Sequence, residues 1–236
     1  MTGQPMFASF GGAIEFIFTP QKSNVTGGKE VGGFDKCLEL MVGHLEVTFL
    51  ALALALVIAL PIGLYLGHRG RGELFAVGIG NAGRAIPELA VIALVATLIG
   101  VGMRNVAPAL ALLGIAPIIV NAYVGVRQVD PAAVDAARGM GMSELSIIRR
   151  VELPLALPTV MGGVRGAAIA IIATATIAPL AGVETLGDLI LNRNVYGENG
   201  LLAGAILVAL LALTLEGILA LLQRRLTSDG LKLKTV

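Results

Sequence analysis

Long apolar stretches alternate with short polar segments along most of this chain. A helix needs about 20 apolar residues to cross a bilayer, and an open strand cannot satisfy its main-chain groups in lipid. The pattern therefore predicts an all-α, polytopic membrane protein with about five transmembrane helices. The predicted spans are residues 45–66, 74–99 with a bend near Pro87, 106–126, 157–181 and 201–222.

The polar segment 130–154, between the third and fourth spans, predicts two short helices joined by an exposed turn. The first helix covers residues 132–138, and the second follows the turn. The signals are an N-cap with a helix-start proline, two glycine breakers, a second N-cap and a terminating Leu-Pro pair: Asp130, Pro131, Gly139, Gly141, Ser143, Leu153 and Pro154. Such an element would protrude from the membrane and could dock a partner.

Residues 1–33 are glycine-rich and polar except for residues 6–18, which are too few to span a bilayer. They lack the basic start of a signal peptide. We expect an extracytoplasmic N-terminal segment with a helix lying on the membrane surface. Residues 34–44 form an amphipathic lead-in, and residues 182–199 form a loop.

Glycine pairs four residues apart predict close helix packing in two of the spans. The first span has Gly63 and Gly67, and the fourth has Gly162 and Gly166.

Composition supports the membrane interpretation: 56% of residues are hydrophobic, 14% are charged and the mean hydropathy is +0.87. The net charge of +1 comes without a basic stripe, so nucleic acid is not an expected partner. The single Cys37 excludes an internal disulfide. His44 and His68 stand alone in the sequence, which favours solvated or capping histidines over metal ligands.

Basic residues predict the orientation. Ten of them fall on one side of the five spans: Arg69, Arg71, Arg127, Arg138, Arg149, Arg150, Arg224, Arg225, Lys232 and Lys234. The other side has Lys22, Lys29, Lys36, Arg104 and Arg193. The positive-inside rule places the first side, with segment 130–154 and the tail 226–236, in the cytoplasm, and the N-terminus outside.

Catalytic motifs are missing from the sequence. Gly27-Gly28-Lys29 is followed by Glu30 and lacks the Walker A spacing, and neither His-Glu-x-x-His nor Gly-x-Ser-x-Gly occurs. The chain is therefore expected not to hydrolyse ATP, and any ATP would have to be used by a separate subunit.

Ionisable residues inside predicted spans are candidates for function. Glu88 either lines the passage and favours a cationic solute, or forms a structural pair with Arg84 one turn earlier. Arg165 either reaches the cytoplasmic surface or pairs with an acid, and Glu216 is interpreted as structural. Thr174 and Thr176 either line a pore or bond to their own helix.

Segment 130–154 contains Asp135-Ala136-Ala137, three residues, Gly141, nine residues and Val151-Glu152-Leu153-Pro154. This spacing resembles the EAA loop of type I ABC importer permeases, whose pattern is Glu-Ala-Ala, three residues, Gly, nine residues and Ile-x-Leu-Pro. Further stretches are similar to permeases of glycine betaine, carnitine, choline and proline importers, over residues 34–225: YLGHRGRG, NAGRAIP, NAYVGVRQVDPAAVDAARGMGM and LPLALPTVMGGVRGAAIAIIATATI.

Three features depart from that branch: Glu88 where a small hydroxylic residue is expected, Pro179-Leu180-Ala181 in place of a more glycine- and tyrosine-like stretch, and Asp188 near the outer mouth. They weaken the inference about the solute, whereas the inference about ATPase coupling is unaffected.

The resemblance implies a non-catalytic permease subunit in the bacterial inner membrane. Its expected partners are a dimer of ATPase subunits that binds ATP and Mg²⁺, a second permease chain, identical or paralogous, and an extracytoplasmic solute-binding protein. The coupling residues would be Asp135, Ala136, Ala137, Arg138, Gly141 and Pro154. In this interpretation Ala136, Ala137 and Gly141 allow close backbone approach, and Asp135 and Arg138 supply polar contacts.

Two other functions remain open at this point. One is a permease for amino acids or another small polar solute. The other is a self-sufficient secondary transporter, which would need internal repeats or a midplane ion site. With no Trp and three Tyr, an aromatic cage for a quaternary ammonium is difficult to build within this chain.

Overall fold

A computed structural model describes residues 8–23, 25, 27–28, 30–85 and 87–227, with residues 76, 77, 81, 82 and 84 described by their backbone alone. The predictions that concern Met6, Phe7, Lys29, Lys232 and Lys234 therefore lie outside the described residues.

The described part of the chain is almost entirely helical, as the hydrophobic pattern predicts. The elements are α1 (Phe10–Phe18), β1 (Pro20–Lys22), β2 (Glu30–Gly32), α2 (Phe34–Arg69), α3 (Glu73–Ala85), α4 (Glu88–Leu98), α5 (Met103–Arg127), α6 (Pro131–Gly139), α7 (Glu144–Ile147), a π-helical turn (Ile148–Glu152), α8 (Leu153–Thr174), a 3₁₀ helix (Ala175–Ala181), α9 (Gly187–Leu191) and α10 (Arg193–Leu226). The strands pair antiparallel, Pro20 opposite Gly32.

Within the described residues, four helical segments are long and apolar enough to cross a membrane: Phe34–Arg69, Met103–Arg127, Glu144–Ala181 and Arg193–Leu226. The predicted second span is divided, because α3 ends at Ala85 and α4 begins at Glu88. Proline disfavours helical geometry in the residue before it and lacks an N–H of its own. The bend expected near Pro87 is therefore a complete break, and the prediction of one continuous helix there is wrong.

Two other boundaries differ from the prediction. The lead-in 34–44 is continuous with the first span in α2. The predicted loop 182–199 contains α9 and the start of α10, which is interrupted at Gly197 with φ +70°. Asp188 supports the local turn, because its carboxylate accepts a hydrogen bond from the Thr185 main-chain N–H at 3.0 Å. This short-range capping was not apparent from apolar periodicity.

The described residues fall into two compact units. The first lies within Met1–Leu50, Glu88–Leu110 and Ile172–Thr214, and the second within Ala51–Pro87, Ala111–Ile171 and Leu215–Val236. α2, α5 and α10 each contribute residues to both units, as does the continuous helical run from Glu144 to Ala181.

The first unit has an apolar core that includes α1. Ser9 caps this helix by accepting from Gly12 N–H at 3.0 Å, and Phe16 packs edge-on against Tyr196 with ring centroids 6.4 Å apart. The predicted helix is confirmed for residues 10–18, whereas its position on the membrane surface stays a prediction. The core residues are Ala13, Phe16, Val31, Cys37, Leu40, Leu186, Leu189 and Ala203.

In the second unit, α2 packs closely on α5 through the predicted glycine pair. A Cβ on Gly63 would lie 2.6 Å from the Ala122 Cβ, and one on Gly67 would lie 2.8 Å from the Val126 Cβ. These positions require glycine because no side chain fits between the helices.

The predicted glycine pair of the fourth span is wrong. Nothing lies within 4 Å of where a Gly166 Cβ would be, and Gly162 has only one atom at 4.0 Å. Gly163 makes the close approach instead, with a Cβ there lying 2.6 Å from the Asn121 Cβ. Sequence spacing identified the small residues, but it could not decide which face of α8 turns toward α5.

Candidate functional site

Segment 130–154 has the predicted two-helix form in the second unit, and we call residues 130–147 the docking element. The Asp130 carboxylate accepts from Ala132 N–H at 2.9 Å, and Pro131 begins α6. Gly141 has φ +80°, a conformation that side chains other than glycine rarely adopt. Ser143 caps α7. The predicted helix starts and the turn are confirmed.

The predicted end at Leu153 and Pro154 is wrong. The helical path continues from α7 through the π-helical turn into α8. Pro154 is the second residue of α8. Pro154 directly follows the π-helical turn, where the hydrogen bonds already depart from the α pattern, so its missing N–H does not terminate the run.

The surface of the docking element carries most of the predicted coupling residues. Asp135, Ala136, Arg138, Gly141 and Pro154 are exposed. Ala137 is 2% exposed and lies in the interior, so it cannot provide the close approach that the sequence suggested. Helical rotation separates neighbours by about 100°, which puts Ala136 outside and Ala137 inside.

Ion pairs connect both sides of the Gly141 turn. The Arg138 guanidinium donates to Asp135 at 3.2 Å and to both carboxylate oxygens of Glu144 at 3.2 Å. Its hydrogen bonds to Glu144 raise the pKa of Arg138. Asp135 and Arg138, expected to face a partner, are thus already paired within this chain.

His68, near the end of α2, continues this network into the interior. Its Nε2 lies 2.8 Å from Glu144 Oε2, and its Nδ1 lies 2.8 Å from Glu152 Oε2. The side chains of His68 and Glu152 are 6% and 4% exposed. Both ring nitrogens can donate only in the imidazolium form. The prediction of a solvated or capping histidine is therefore wrong, because the fold brings two distant carboxylates to it.

A cavity of about 210 Å³ adjoins this network. Its lining combines the end of α2, the end of α5 and α6, and it includes charged groups of both signs: Gly67, His68, Val126, Arg127, Val129, Pro131, Val134, Asp135, Arg138 and Glu152. Among the described residues, no cluster of three or more His, Cys, Asp or Glu suits a metal ion.

The second unit also contains the pair of Arg165 and Glu216. Arg165 Nε donates to Glu216 Oε1 at 2.8 Å, and its Nη1 donates to Gln223 at 2.9 Å. Of the two alternatives for Arg165, the structure has the acid pair. Glu216 is accordingly a structural partner that joins α10 to α8.

The first unit brings together two of the predicted pathway residues. Thr174 Oγ1 donates to Glu88 Oε2 at 2.6 Å, whereas Thr176 bonds back to the Ala173 carbonyl at 2.7 Å. The Arg84 side chain lies outside the described residues. The break before Glu88 removes the continuous helix on which a one-turn pairing with Arg84 was based.

His44 is fully buried in the first unit, so of the two predicted alternatives, solvated or capping, the structure excludes the solvated one. Its Nε2 lies 2.9 Å from the Ile172 carbonyl, to which it donates. Ile172 is in the last turn of α8, directly before the run continues as a 3₁₀ helix. A buried polar group at such a helix end would have signalled this role, but the sequence does not reveal burial.

Comparison with known families decides what the chain is. Residues 59–228 match the family described as the binding-protein-dependent transport system inner membrane component. The chain belongs to this family. It is thus a permease component of a binding-protein-dependent transport system and a multi-pass membrane protein, as the EAA resemblance implied.

Relatives and solved structures agree with this assignment. The permease is 34% identical over 190 residues to the choline transport system permease protein OpuBB of Bacillus subtilis, covering 80% of this chain and 88% of that protein. It is 36% identical over 189 residues to the osmoprotectant import permease protein OsmY of Salmonella typhimurium, covering 78% and 79%.

Its fold matches a solved structure titled as an inward-facing conformation of the MetNI methionine ABC transporter. The TM-score is 0.71 at 21% identity, and the match covers 81% of this chain and 96% of that one. This likeness supports the permease fold alone.

Proposed function

We propose that this permease belongs to an ATP-driven ABC importer for quaternary-ammonium osmoprotectants such as glycine betaine, choline or carnitine. The observation that carries the proposal is the set of relatives above 30% identity, whose names include choline, carnitine and osmoprotectant transport. Their similarity extends over about four fifths of this chain.

The distribution of basic residues supports the proposed orientation in a bacterial inner membrane. The described basic residues assigned to the cytoplasm are Arg69, Arg71, Arg127, Arg138, Arg149, Arg150, Arg224 and Arg225. Those assigned to the outside are Lys22, Lys36, Arg104 and Arg193. By the positive-inside rule, the proposed orientation has the docking element facing the cytoplasm, with the C-terminus inside and the N-terminus outside.

The docking element is the proposed contact for an ATPase subunit. Its exposed turn at Gly141 and the exposed Ala136 offer a small surface that a groove could receive, while Asp135 and Arg138 flank it. ATP and Mg²⁺ would bind the partner ATPase dimer, and this chain would hold no cofactor. A second permease chain and an extracytoplasmic binding protein complete the proposed assembly.

Glu88 and Thr174 are the proposed contributors to the solute pathway. Their 2.6 Å hydrogen bond joins the first turn of α4 to the last turn of α8. A carboxylate held within a membrane region favours a cationic solute. Arg84 and Thr176 remain sequence-based candidates, although the Thr176 hydroxyl donates its hydrogen bond to the Ala173 carbonyl of its own helical run.

The test is ATP hydrolysis and solute uptake in proteoliposomes that contain the permease and its ATPase. The reaction is run with a binding protein loaded with glycine betaine, choline or carnitine, and then with an amino acid as the competing solute class. Stimulation and uptake with a quaternary ammonium support the proposal. An intact complex that responds only to the amino acid would leave the permease assignment standing and overturn the solute.

A further inference from the structure

We propose that His68 is a positioning residue for energy coupling, which clamps the docking element and the start of α8 to the cytoplasmic end of α2. This inference rests on the proposed docking of an ATPase subunit. The clamp would transmit movement of the docking element to the first span. The backbone does not join these two segments directly.

The geometry of the clamp places one ring nitrogen of His68 against each of two carboxylates. The two His68 nitrogens lie 2.8 Å from Glu144 on one edge and 2.8 Å from Glu152 on the other. A histidine is a planar group with donors on opposite edges, so it can hold two carboxylates apart at a fixed distance. Glu144 also accepts from Arg138, which extends the clamp across the Gly141 turn to α6.

The π-helical turn provides the second half of the clamp. A π-bulge adds a residue to a helical turn and changes the direction of the side chains that follow, and it often marks a functional site. Here the turn ends at Glu152, whose side chain is 4% exposed and is directed at His68. A charge buried to this extent is tolerated only with a partner, so Glu152 and His68 depend on each other.

Chain connectivity explains why a clamp is needed. The docking element is joined through the backbone to α5 at one end and to α8 at the other. α2 is not its neighbour in sequence, yet its last turn carries His68. With the clamp intact, a displacement of the docking element by the ATPase moves α2 as well. Without the clamp, the docking element moves relative to α2, and only part of its displacement is transmitted to the first span.

The first experiment measures solute imported per ATP hydrolysed in proteoliposomes of the complete complex. His68→Gln and Glu152→Gln each remove one partner of the clamp with little change in volume. We expect each to lower this ratio about tenfold, within the usual range of coupling between sites. ATP hydrolysis and the KM for loaded binding protein should remain near wild type. The double variant should lose no more than either single one, since both break the same contact.

His68→Arg separates a positioning role from simple space filling. The adjoining cavity of about 210 Å³ gives a guanidinium room to reach both carboxylates. We expect His68→Arg to keep most of the coupling that His68→Gln loses, although glutamine is closer to histidine in size. Arg149→Gln, which removes an exposed charge from the same π-helical turn, is the matched control and should behave as wild type.

Hydrogen exchange provides a readout independent of transport. In the permease–ATPase complex, amides of residues 140–147 should exchange faster in Glu152→Gln than in wild type or Arg149→Gln. Unchanged exchange, an unchanged coupling ratio in both single variants, or additive losses in the double variant would each overturn the clamp. A wild-type complex that imports no quaternary ammonium would instead overturn the proposed solute, and the exchange comparison would still test the clamp.

Discussion

The helical run from Glu144 to Ala181 departs from α-helical geometry near both ends, and it is wider at one end and tighter at the other. Residues 148–152 widen into a π-helical turn in the second unit, and residues 175–181 tighten into a 3₁₀ helix in the first. Each departure lies beside a buried histidine of α2. Glu152 meets His68 at one end, and the Ile172 carbonyl meets His44 at the other.

The two contacts differ in charge. At the π-helical end, the His68 ring lies between two carboxylates, and the guanidinium of Arg138 shares one of them. At the 3₁₀ end, a histidine donates one hydrogen bond to a main-chain carbonyl, and its Nδ1 has no partner among the described residues. A charged contact is strong when complete and costly when half of it is removed. A neutral one changes stability by less.

The largest expected effect comes from breaking the charged contact on one side only. Glu152→Ala leaves His68 buried with half of its partners, and we expect unfolding of the purified permease to become easier by about 3–5 kcal/mol. Thermal unfolding in detergent measures this. Glu144→Ala, at a side chain 57% exposed, should lower the stability much less, because solvent screens an exposed ion pair. Equal losses for the two variants would contradict the role of burial.

The neutral contact should show the next largest effect. His44→Leu fills most of the same space but leaves the Ile172 carbonyl without its donor, which costs about 1–3 kcal/mol. His44→Gln retains an N–H donor and should recover part of the loss. If the leucine variant unfolds at the same temperature as wild type, the hydrogen bond contributes nothing to stability.

The turn of the docking element provides a smaller and more local test. Gly141→Leu places a side chain at φ +80°, which costs about 1–2 kcal/mol. Gly139→Leu adds the same side chain to a helical glycine that also has open space around it. We expect Gly141→Leu alone to reduce solute imported per ATP. Normal uptake by this variant would count against the docking element as the coupling contact.

The smallest expected effect concerns pH at the first unit. Burial raises the pKa of the Asp188 carboxyl, so folding favours its protonated form. Stability from this group is present below the ordinary aspartate pKa of about 3.9 and is lost as pH rises through the higher folded value. Asp188→Asn should therefore flatten the pH dependence of thermal unfolding above about pH 4. An identical profile would show that ionisation of Asp188 is not linked to folding.

Short-range features of the candidate site were predictable. The N-caps at Asp130 and Ser143 and the turn at Gly141 each depend on a few neighbouring residues, and all three are confirmed. The face of α8 that meets α5 was not predictable, since Gly162, Gly163 and Gly166 are equally small. Gly163 is distinguished from the others only by its close packing against Asn121 and the Pro117 carbonyl of α5.

The sequence by itself determined the membrane character, a bend near Pro87 though not the complete break, the docking element and the family. These follow from length of apolar runs, proline geometry and fixed motif spacing, which are local quantities. Only the tertiary structure decided that His68 is paired with Glu144 and Glu152, and that Thr174 meets Glu88. These partners are 76, 84 and 86 residues apart in the chain, so their contact depends on how the helices pack.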